Sequence, residues 1–462
     1  MKLRIGLLTL LLSAMGCFAS TPRYIFYFIG DGMGMGAVSL AQVYNRTVLG
    51  NDKPLTMMQM PVASAAFTHS ASSPVTDSAA AGTALATGHK TNNRMLGVTP
   101  DTTEVVSIAG ILHDNGYGIG LVTTVAPDDA TPGAFYAHQP DRAMFYEIGR
   151  DAAASGYEFI AGANLRGLKD DKGNATDLMN VFEENDVSVV RGIDGLDDVK
   201  SRKILLLNTD TVHSNDVGYA IDSIPGVLTL PHMTQACLNH LMENTPDRFF
   251  MMVEGGSIDH AAHPNDAATV VMETINFDRT LKIAYDFYLS HPDETLIVVT
   301  ADHETGGLAL ANRYLHYNIE PRYLQYQKMS KERFIEYGNS LLASRIDLSW
   351  DDMKRAMTEY LGLYSQIPVE EKYDADLRGL FEETVKWRGV DNKKLEDAGK
   401  KFVGSVFDHI SMMSGIGWTT GDHSGAVVPV YAIGVGADKF IPLQDNTEIP
   451  EKILEIAGYR LK

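Results

Sequence analysis

Cysteine and basic charge are both scarce in this 462-residue sequence. Cys17 and Cys237 are its two cysteines, and removal of a leader that contains Cys17 leaves one. A single cysteine excludes an intramolecular disulfide and a cysteine-rich metal site. The 39 Lys and Arg residues are outnumbered by 59 Asp and Glu residues, which gives a formal net charge of −20. This balance argues against a nucleic-acid partner, which would need basic patches.

Long hydrophobic runs are also missing after residue 20, so the sequence predicts no transmembrane segment. Before that point, Lys2 and Arg4 precede an apolar stretch over residues 5–12, and small residues follow up to Ser20. This pattern is typical of a cleaved export signal over residues 1–20 and predicts a periplasmic protein. A lipid anchor at Cys17 is the alternative, because Cys17 follows the apolar stretch as in bacterial lipoprotein signals.

What the sequence does have is a globular composition, with 45% hydrophobic residues, in which short apolar runs alternate with helical patterns. This rhythm predicts an α/β fold: a mostly parallel central sheet with helices on both faces. Three of the predicted strands lead into an acidic residue: 24–29 into Asp31, 248–253 into Glu254 and 295–300 into Asp302. Because α/β proteins place ligand groups at the carboxyl ends of their strands, we expect these acids to converge at one edge of the sheet.

The amino-acid composition changes between residues 312 and 411, which are rich in Lys, Glu and Tyr and have the hydrophobic periodicity of helices. We interpret this stretch as a helical insertion that serves as a lid, a cap or a crown-like domain. The catalytic α/β domain would then comprise residues 21–311 and 412–462.

The stretch over residues 75–84 contains Asp77 and Ser78 before a run of alanines, which predicts a helix with Ser78 in its first turn. Free backbone N–H groups at a helix start favour anions, so the Ser78 hydroxyl could serve as a nucleophile on an anionic substrate. On these residues alone, an ordinary capped helix is the simpler interpretation.

Acids and histidines elsewhere in the sequence favour a metal centre. Asp259 and His263 are four residues apart, so on a helix they share one face, and the pair Asp302 and His303 follows a strand. His423 lies in a glycine-flanked loop just before another strand. Histidine and aspartate ligands without cysteine suit Zn²⁺.

Two further stretches carry polar groups of interest. The oxygens of residues 128–132, which include Thr131, suit a hard cation such as Mg²⁺, although on these residues alone a capped turn before a helix is the better explanation. Arg142 can present a planar fork to two phosphate oxygens, but taken alone it would be an ordinary surface arginine.

Taken together and in chain order, these motifs resemble those of the alkaline phosphatase family. The family's nucleophile motif Asp-Ser-Ala matches residues 77–79. The other matches, also in family order, are Asp31, the segment 129–142, Glu254 with Asp259 and His263, Asp302 with His303, and His423. The resemblance spans most of the chain after the leader and implies a phosphoric monoester hydrolase acting on small phosphate monoesters.

The resemblance also implies two zinc ions, one magnesium ion and a covalent phosphoserine. The implied ligands are Asp259, His263 and His423 for one zinc; Asp31, Asp302 and His303 for the other; and Thr131 and Glu254, with Asp31 bridging, for magnesium. Ser78 would contact the metal and attack phosphorus, and Arg142 would clamp the phosphate oxygens. Asp129 and His260 occupy positions beside the ligands where family members differ, which leaves metal preference open.

Two other functions remain open from the sequence. One is a phosphodiesterase of the same superfamily, which would need neither an arginine clamp nor a third metal. The other is a non-catalytic metal-bearing protein that binds phosphate. The oligomeric state is also open, with a homodimer as one option.

Overall fold

The computed structural model describes residues 21–196, 199–209, 216–345 and 347–461. The export signal predicted over residues 1–20, including Cys17, lies outside the described residues. None of the helices in these ranges has the length and apolar character that a membrane crossing requires.

A ten-stranded sheet forms the centre of the molecule, and a two-stranded ribbon lies apart from it. The strands are β1 (Tyr24–Ile29), β2 (Val62–Phe67), β3 (Gly118–Thr123), β4 (Phe159–Ala161), β5 (Ser188–Arg191), β6 (Ile204–Leu207), β7 (Phe249–Glu254), β8 (Thr295–Thr300), β9 (Glu304–Thr305), β10 (His423–Ser424), β11 (Val428–Gly434) and β12 (Gln444–Asp445). The order in the sheet is β12-β2-β11-β8-β1-β7-β3-β4-β6-β5, and β9 pairs with β10. Within the ten-stranded sheet, the strand pairs are parallel except those of β11 with β8 and β2, which confirms the predicted fold class. The β9–β10 pair is antiparallel.

Helices connect the strands. They are α1 (Met35–Thr47), α2 (Ser78–Thr87), α3 (Ile108–Asp114), α4 (Ala130–Gly133), α5 (Phe145–Ala154), α6 (Leu178–Glu184), α7 (Leu230–Asn244), α8 (Ser257–Ala262), α9 (Ala267–Ser290), α10 (Lys331–Ser344), α11 (Trp350–Leu361), α12 (Glu371–Lys386), α13 (Asn392–Ser414) and α14 (Glu448–Ala457). Short 3₁₀ helices occur in the connections, among them Arg166–Leu168 and Pro321–Tyr326.

The central strands β8, β1, β7 and β3 are buried along their whole length, which is why their sequences read as continuous apolar runs. Their register is level, since Ile29 of β1 is paired with Glu254 on one side and Thr300 on the other. Asp31, Glu254 and Asp302 therefore meet at one edge of the sheet, as the sequence predicts. We refer to this edge as the site edge.

Some elements differ from the sequence prediction. The helical pattern of residues 104–115 predicts a helix that starts near Glu104, whereas α3 begins at Ile108. The reason is that the Ser107 hydroxyl caps the helix by accepting a hydrogen bond from the Gly110 amide at 3.1 Å. Strand β2 was not predicted at all, since its sequence of alanine, serine and only two larger apolar residues gives little strand signal. It is held in the sheet by pairing with β11.

Residues 312–411 are mostly helical, as expected, and α13 continues to Ser414. Hydrogen bonds join this segment to the start of α9. The Gln327 side-chain amide and the Lys331 backbone N–H both donate to the Asp266 carboxylate, at 2.8 and 2.7 Å. The Ser330 hydroxyl donates to Asp222 at 2.8 Å. The helices thus pack onto the α/β part of the chain through defined polar contacts.

Candidate active site

Helix α2 begins at Ser78, and Asp77 is its N-cap, accepting a hydrogen bond from the Ala80 amide at 3.0 Å. Gly88 ends the helix in the left-handed region, at φ +73°. Ser78 is buried, and its Oγ lies 3.2 Å from Nε2 of His303. The predicted nucleophile therefore lies at a helix N-terminus, in direct contact with a predicted metal ligand.

Helix α2 approaches α4 closely because residue 82 is glycine. A Cβ at Gly82 would lie 3.3 Å from the Cα of Thr131, which is tight contact. This packing holds Thr131 beside the site edge, where its Oγ1 lies 3.4 Å from Oδ2 of Asp31. Helices α2 and α4, which are far apart in sequence, therefore both lie beside the acids of the site edge.

The acids at the site edge are buried and incompletely hydrogen-bonded. Within the described ranges, Oδ1 of Asp31, Oε1 of Glu254 and Oδ2 of Asp302 accept no hydrogen bond. Burial, together with the neighbouring carboxylates, raises the pKa of Asp31 well above its usual value. The same causes raise the pKa of Glu254 to about 8, although Thr123 donates a hydrogen bond to it at 2.5 Å. Buried carboxylates in this state call for a cation.

Two groups of side chains are close enough to hold such cations. The ligand atoms of Asp31, Asp302 and His303 lie within 4.8 Å of one another, and so do those of Asp259, His303 and His423. His303 takes part in both groups, whereas the resemblance implies His263 in the second. His263 is nevertheless adjacent, with its Nε2 3.2 Å from Oδ2 of Asp259 and 3.3 Å from Nε2 of His423.

The orientation of these two imidazoles fits metal binding. Nδ1 of His263 contacts the Gly421 carbonyl at 2.7 Å, and Nδ1 of His423 contacts the Thr76 carbonyl at 2.9 Å. A carbonyl accepts, so each Nδ1 carries a proton and, in the neutral ring, each Nε2 presents a lone pair. Two lone pairs 3.3 Å apart repel unless a cation lies between them. Fixing Nδ1 on a carbonyl is the usual support for a metal-binding histidine.

Asp259 is held in its ionised form. Burial would raise its pKa, but the neighbouring imidazoles of His263, His303 and His423 lower it below the usual range. The Thr305 hydroxyl also donates to Oδ1 of Asp259 at 2.5 Å. Thr305 was not predicted as a site residue, because it belongs to none of the motifs found in the sequence.

Arg142 lies between two carboxylates beside the nucleophile. Its Nη1 is 3.4 Å from Oδ2 of Asp77, and its Nη2 is 3.1 Å from Oδ1 of Asp129. Burial alone would lower the pKa of Arg142, but the carboxylates of Asp129 and Asp77 raise it above its usual value. The guanidinium therefore stays charged at the start of α2, where a phosphate dianion would need it.

The two positions where family members differ have separate environments. Asp129 contacts Arg142 and also Arg166, whose Nη1 lies 2.9 Å from Oδ2. Burial raises the pKa of Asp129, but the two arginines outweigh it and lower the pKa to about 2. His260 pairs instead with Asp216, at 2.9 Å from Nδ1. Burial would lower the pKa of His260, but Asp216 raises it to about 10.

Arg166 and Asp216 were missed in the sequence. Neither belongs to a motif, and each reaches the site from a connecting segment that looks like an ordinary polar loop. Only the fold shows that the short 3₁₀ helix at Arg166 faces the turn that carries Asp129.

Comparison with known proteins agrees with this geometry. The alkaline phosphatase family model matches residues 23–171 and 151–459. Alkaline phosphatase 4 of Bacillus subtilis is 30% identical over 446 residues, covering 94% of this chain and 88% of the relative. The repressible alkaline phosphatase of Saccharomyces cerevisiae is 27% identical, covering 89% and 75%.

Solved structures extend the agreement to the fold. The cold-active alkaline phosphatase from a Shewanella species superposes with a TM-score of 0.77 at 28% identity, covering 94% of this chain and 99% of that one. The Thermus thermophilus alkaline phosphatase gives a TM-score of 0.75 at 25% identity, with 96% and 93% covered. With the family model matched over nearly all of the described residues, this chain belongs to the alkaline phosphatase family, the metal-dependent phosphomonoesterases.

Proposed function

We propose that Ser78 is the nucleophile of this phosphomonoesterase and that hydrolysis passes through a covalent phosphoserine. The observation that carries the proposal is the position of the Ser78 hydroxyl. It lies at the N-terminus of α2 and 3.2 Å from Nε2 of His303, among buried carboxylates that each have one oxygen without a hydrogen-bond donor in the described ranges. A hydroxyl in this environment can be ionised and directed at an electrophile.

The metal ligands are proposed from the donor set. One zinc ion would be held by Asp259, His263 and His423, a second by Asp31, Asp302 and His303, and a magnesium ion by Thr131, Glu254 and Asp31. Nitrogen and carboxylate donors suit zinc, and the all-oxygen set suits magnesium. When bound, the cations neutralise charge on the attacking, leaving and equatorial oxygens and lower the pKa of the serine hydroxyl and of water.

The side chains of the site then have distinct tasks. The Ser78 oxygen forms a bond to phosphorus as the bond from phosphorus to the ester oxygen breaks, and the alcohol departs with a proton. Arg142 has five N–H donors, of which two contact Asp77 and Asp129. The remaining donors would bind two non-bridging phosphate oxygens. A water then attacks phosphorus, and the bond to Ser78 breaks to release inorganic phosphate.

The test is the serine itself. Replacing Ser78 with Ala should leave the fold intact and lower kcat for p-nitrophenyl phosphate by about a thousandfold or more. Wild-type enzyme quenched in acid during turnover of labelled phosphate ester should carry the label on Ser78. The matched control is Ser344→Ala, on the exposed surface of α10, which should keep its full rate. Label on another residue, or a near-normal rate in Ser78→Ala, would refute the assignment.

Export and dimerisation are also proposed. The leader-like residues 1–20 support export to the periplasm, which amino-terminal sequencing of the secreted protein would test. A homodimer is supported by exposed apolar side chains at the β12 edge of the sheet, where Phe67, Ile441 and Leu443 are about half-exposed. Sedimentation equilibrium of the wild type and of Leu443→Lys would test it, since the substitution should shift the mass towards the monomer.

A further inference from the structure

Asp129 bridges two arginines. Its Oδ1 accepts hydrogen bonds from Nη2 of Arg142 at 3.1 Å and from the Ala130 amide at 2.7 Å. Its Oδ2 accepts one from Nη1 of Arg166 at 2.9 Å. The carboxylate is buried, so neither oxygen can readily exchange these contacts for water. The position of Arg142 is therefore connected to that of Arg166 through one side chain.

Arg166 is held in place by other contacts within the protein. Its backbone N–H donates to Oδ1 of Asp128 at 2.9 Å, and the next amide, of Gly167, donates to Oδ2 at 2.7 Å. Asp128 is fully buried. The guanidinium of Arg166 lies over the ring of Phe145, 4.0 Å from its centroid. Phe145 is the first residue of α5, three positions after Arg142, so the ring connects the two arginines a second time.

His260 does not supply this support. Its Nδ1 is engaged with both oxygens of Asp216, at 2.9 and 3.0 Å, and no hydrogen bond joins it to Asp129 within the described chain. Arg166 is therefore the cation that contacts the second oxygen of Asp129. Without it, Oδ2 would lose its one side-chain donor among the residues that the structure describes. The buried carboxylate would then turn to bring both oxygens onto Arg142.

That change would act on phosphate binding. Arg142 can hold two phosphate oxygens only if its free N–H groups point at them, and a bidentate contact with Asp129 would use or redirect those groups. A displacement of about 1 Å in a group that binds the transition state can cost up to about a hundredfold in rate.

We propose that Arg166 is a positioning residue for the reaction. It acts through Asp129 to keep the guanidinium of Arg142 facing the phosphate, and it does not touch the substrate. This inference rests on the proposed role of Arg142 as the phosphate clamp.

The experiment is a double-mutant cycle on kcat/KM for p-nitrophenyl phosphate, with Arg166→Met, Arg142→Ala and the double variant. Arg166→Met should lower kcat/KM about tenfold, and the inhibition constant for inorganic phosphate should rise in parallel. In the Arg142→Ala background, Arg166→Met should cause less than a twofold further loss, because there is no guanidinium left to orient. Arg166→Lys should recover part of the loss by restoring a cation beside Asp129.

Arg23→Met is the matched control. Arg23 is also paired with a carboxylate, at 2.7 Å from Glu294, and its guanidinium lies over a tyrosine ring, but it precedes β1 at the opposite edge of the sheet. This variant should keep its kcat/KM and its phosphate inhibition constant. A general loss of stability in Arg166→Met would show as a lower melting temperature, whereas a positioning role predicts the kinetic change at a melting temperature close to that of Arg23→Met.

The possible failures are distinguishable. If Arg142→Ala keeps its activity, the clamp itself is wrong, and with it the basis of the inference. If Arg142→Ala is impaired but Arg166→Met is not, the clamp stands and the positioning role is refuted. If both are impaired and their losses multiply in the double variant, Arg166 acts independently of Arg142, for example by contacting substrate, and the positioning role is again refuted.

Discussion

The site edge and the helical segment over residues 312–411 are stabilised in opposite ways. At the site edge, charged side chains are buried and several of their oxygens lack hydrogen-bond partners among the described residues. In the helical segment, most of the buried side chains are apolar, and charges form surface pairs such as Lys386 with Glu383 and Lys400 with Glu396. Surface pairs of this kind contribute little to stability, so the helices depend on their apolar faces.

The difference indicates that the stability of the site edge depends on bound cations, whereas that of the helical segment does not. The helical segment contains its own stabilising contacts, since Leu377, Met357 and Val406 are completely buried. The site edge brings Asp31, Glu254, Asp259 and Asp302 together at the cost of mutual repulsion, which bound cations relieve. Removing metals and removing apolar side chains should therefore affect the two regions separately.

Metal removal should give the largest effect. Exhaustive dialysis against a chelator should abolish phosphatase activity and lower the melting temperature, because the buried acids then repel one another. For ions present at 1,000 times their dissociation constant, the stabilisation lost is about 4 kcal/mol. Zn²⁺ with Mg²⁺ should restore both properties, as followed by p-nitrophenyl phosphate hydrolysis and calorimetry. An unchanged rate and melting temperature after dialysis would contradict the metal site.

Arg142 should give the next largest effect, and one confined to catalysis. A monoester offers two charged oxygens to a guanidinium, whereas a diester has one of them blocked. Arg142→Ala should lower kcat/KM for p-nitrophenyl phosphate by roughly 3–4 kcal/mol, or two to three powers of ten, and barely change the rate on bis-p-nitrophenyl phosphate.

Arg142→Lys should recover only part of the loss, because the ammonium keeps the charge but not the planar fork. The quantity to compare is the ratio of monoester to diester kcat/KM in the three enzymes. The same ratio in all of them would mean that Arg142 does not clamp the phosphate.

A substitution that creates a cavity in the helical segment should lower stability and leave activity unchanged. Leu377 on α12 is fully buried, so Leu377→Ala should lower the free energy of unfolding by about 2–5 kcal/mol through lost burial and an unfilled cavity. Activity at 25 °C should remain near that of the wild type, and the chelator should still lower the melting temperature by the same amount. Leu289→Ala, at a position 60% exposed, is the control and should cost less than about 0.5 kcal/mol. A lost metal response in Leu377→Ala would show that the two regions are coupled.

The smallest expected effect is at a helix cap. Ser349 and Asp352 form a capping box at the start of α11, with the Asp352 amide donating to the Ser349 hydroxyl at 3.2 Å. Ser349→Ala should cost about 1 kcal/mol in unfolding free energy, measured in denaturant, and should not change kcat. The control is Ser365→Ala, because the Ser365 hydroxyl donates to the Gly362 carbonyl and does not cap a helix start. Its unfolding free energy should stay within about 0.5 kcal/mol of that of the wild type.

The sequence predicted the sheet and its acids well because the signal is local. Strands β1, β7 and β8 are continuous apolar runs, and a parallel sheet aligns their carboxyl ends. The sequence could not predict β2 or the contacts of Asp129, because these depend on segments far away in the chain. The pairing of β2 is with residues 428–432, and the bridge from Asp129 to Arg166 spans 37 positions.

The same limit applies to the ligand groups. The motifs predict candidate ligands, but they do not predict the placement of His303 within reach of both groups, because this placement depends on how β10 returns to the site. The boundary of the helical segment is a related case, since α13 runs on to Ser414 with no sequence break at residue 411. The division of the chain into two domains remains a prediction.

The ribbon of β9 and β10 has a consequence for how the chain can vary. It pairs Thr305 with His423 and Glu304 with Ser424, so it closes a loop that contains the whole helical segment. The entropy of closing a loop grows only with the logarithm of its length, and doubling the length costs about 0.6 kcal/mol. Helices could therefore be added to or removed from residues 312–411 with little penalty at the ribbon. His423 would still return to the same place, so this junction lets the segment change in size while the register of the catalytic groups is kept.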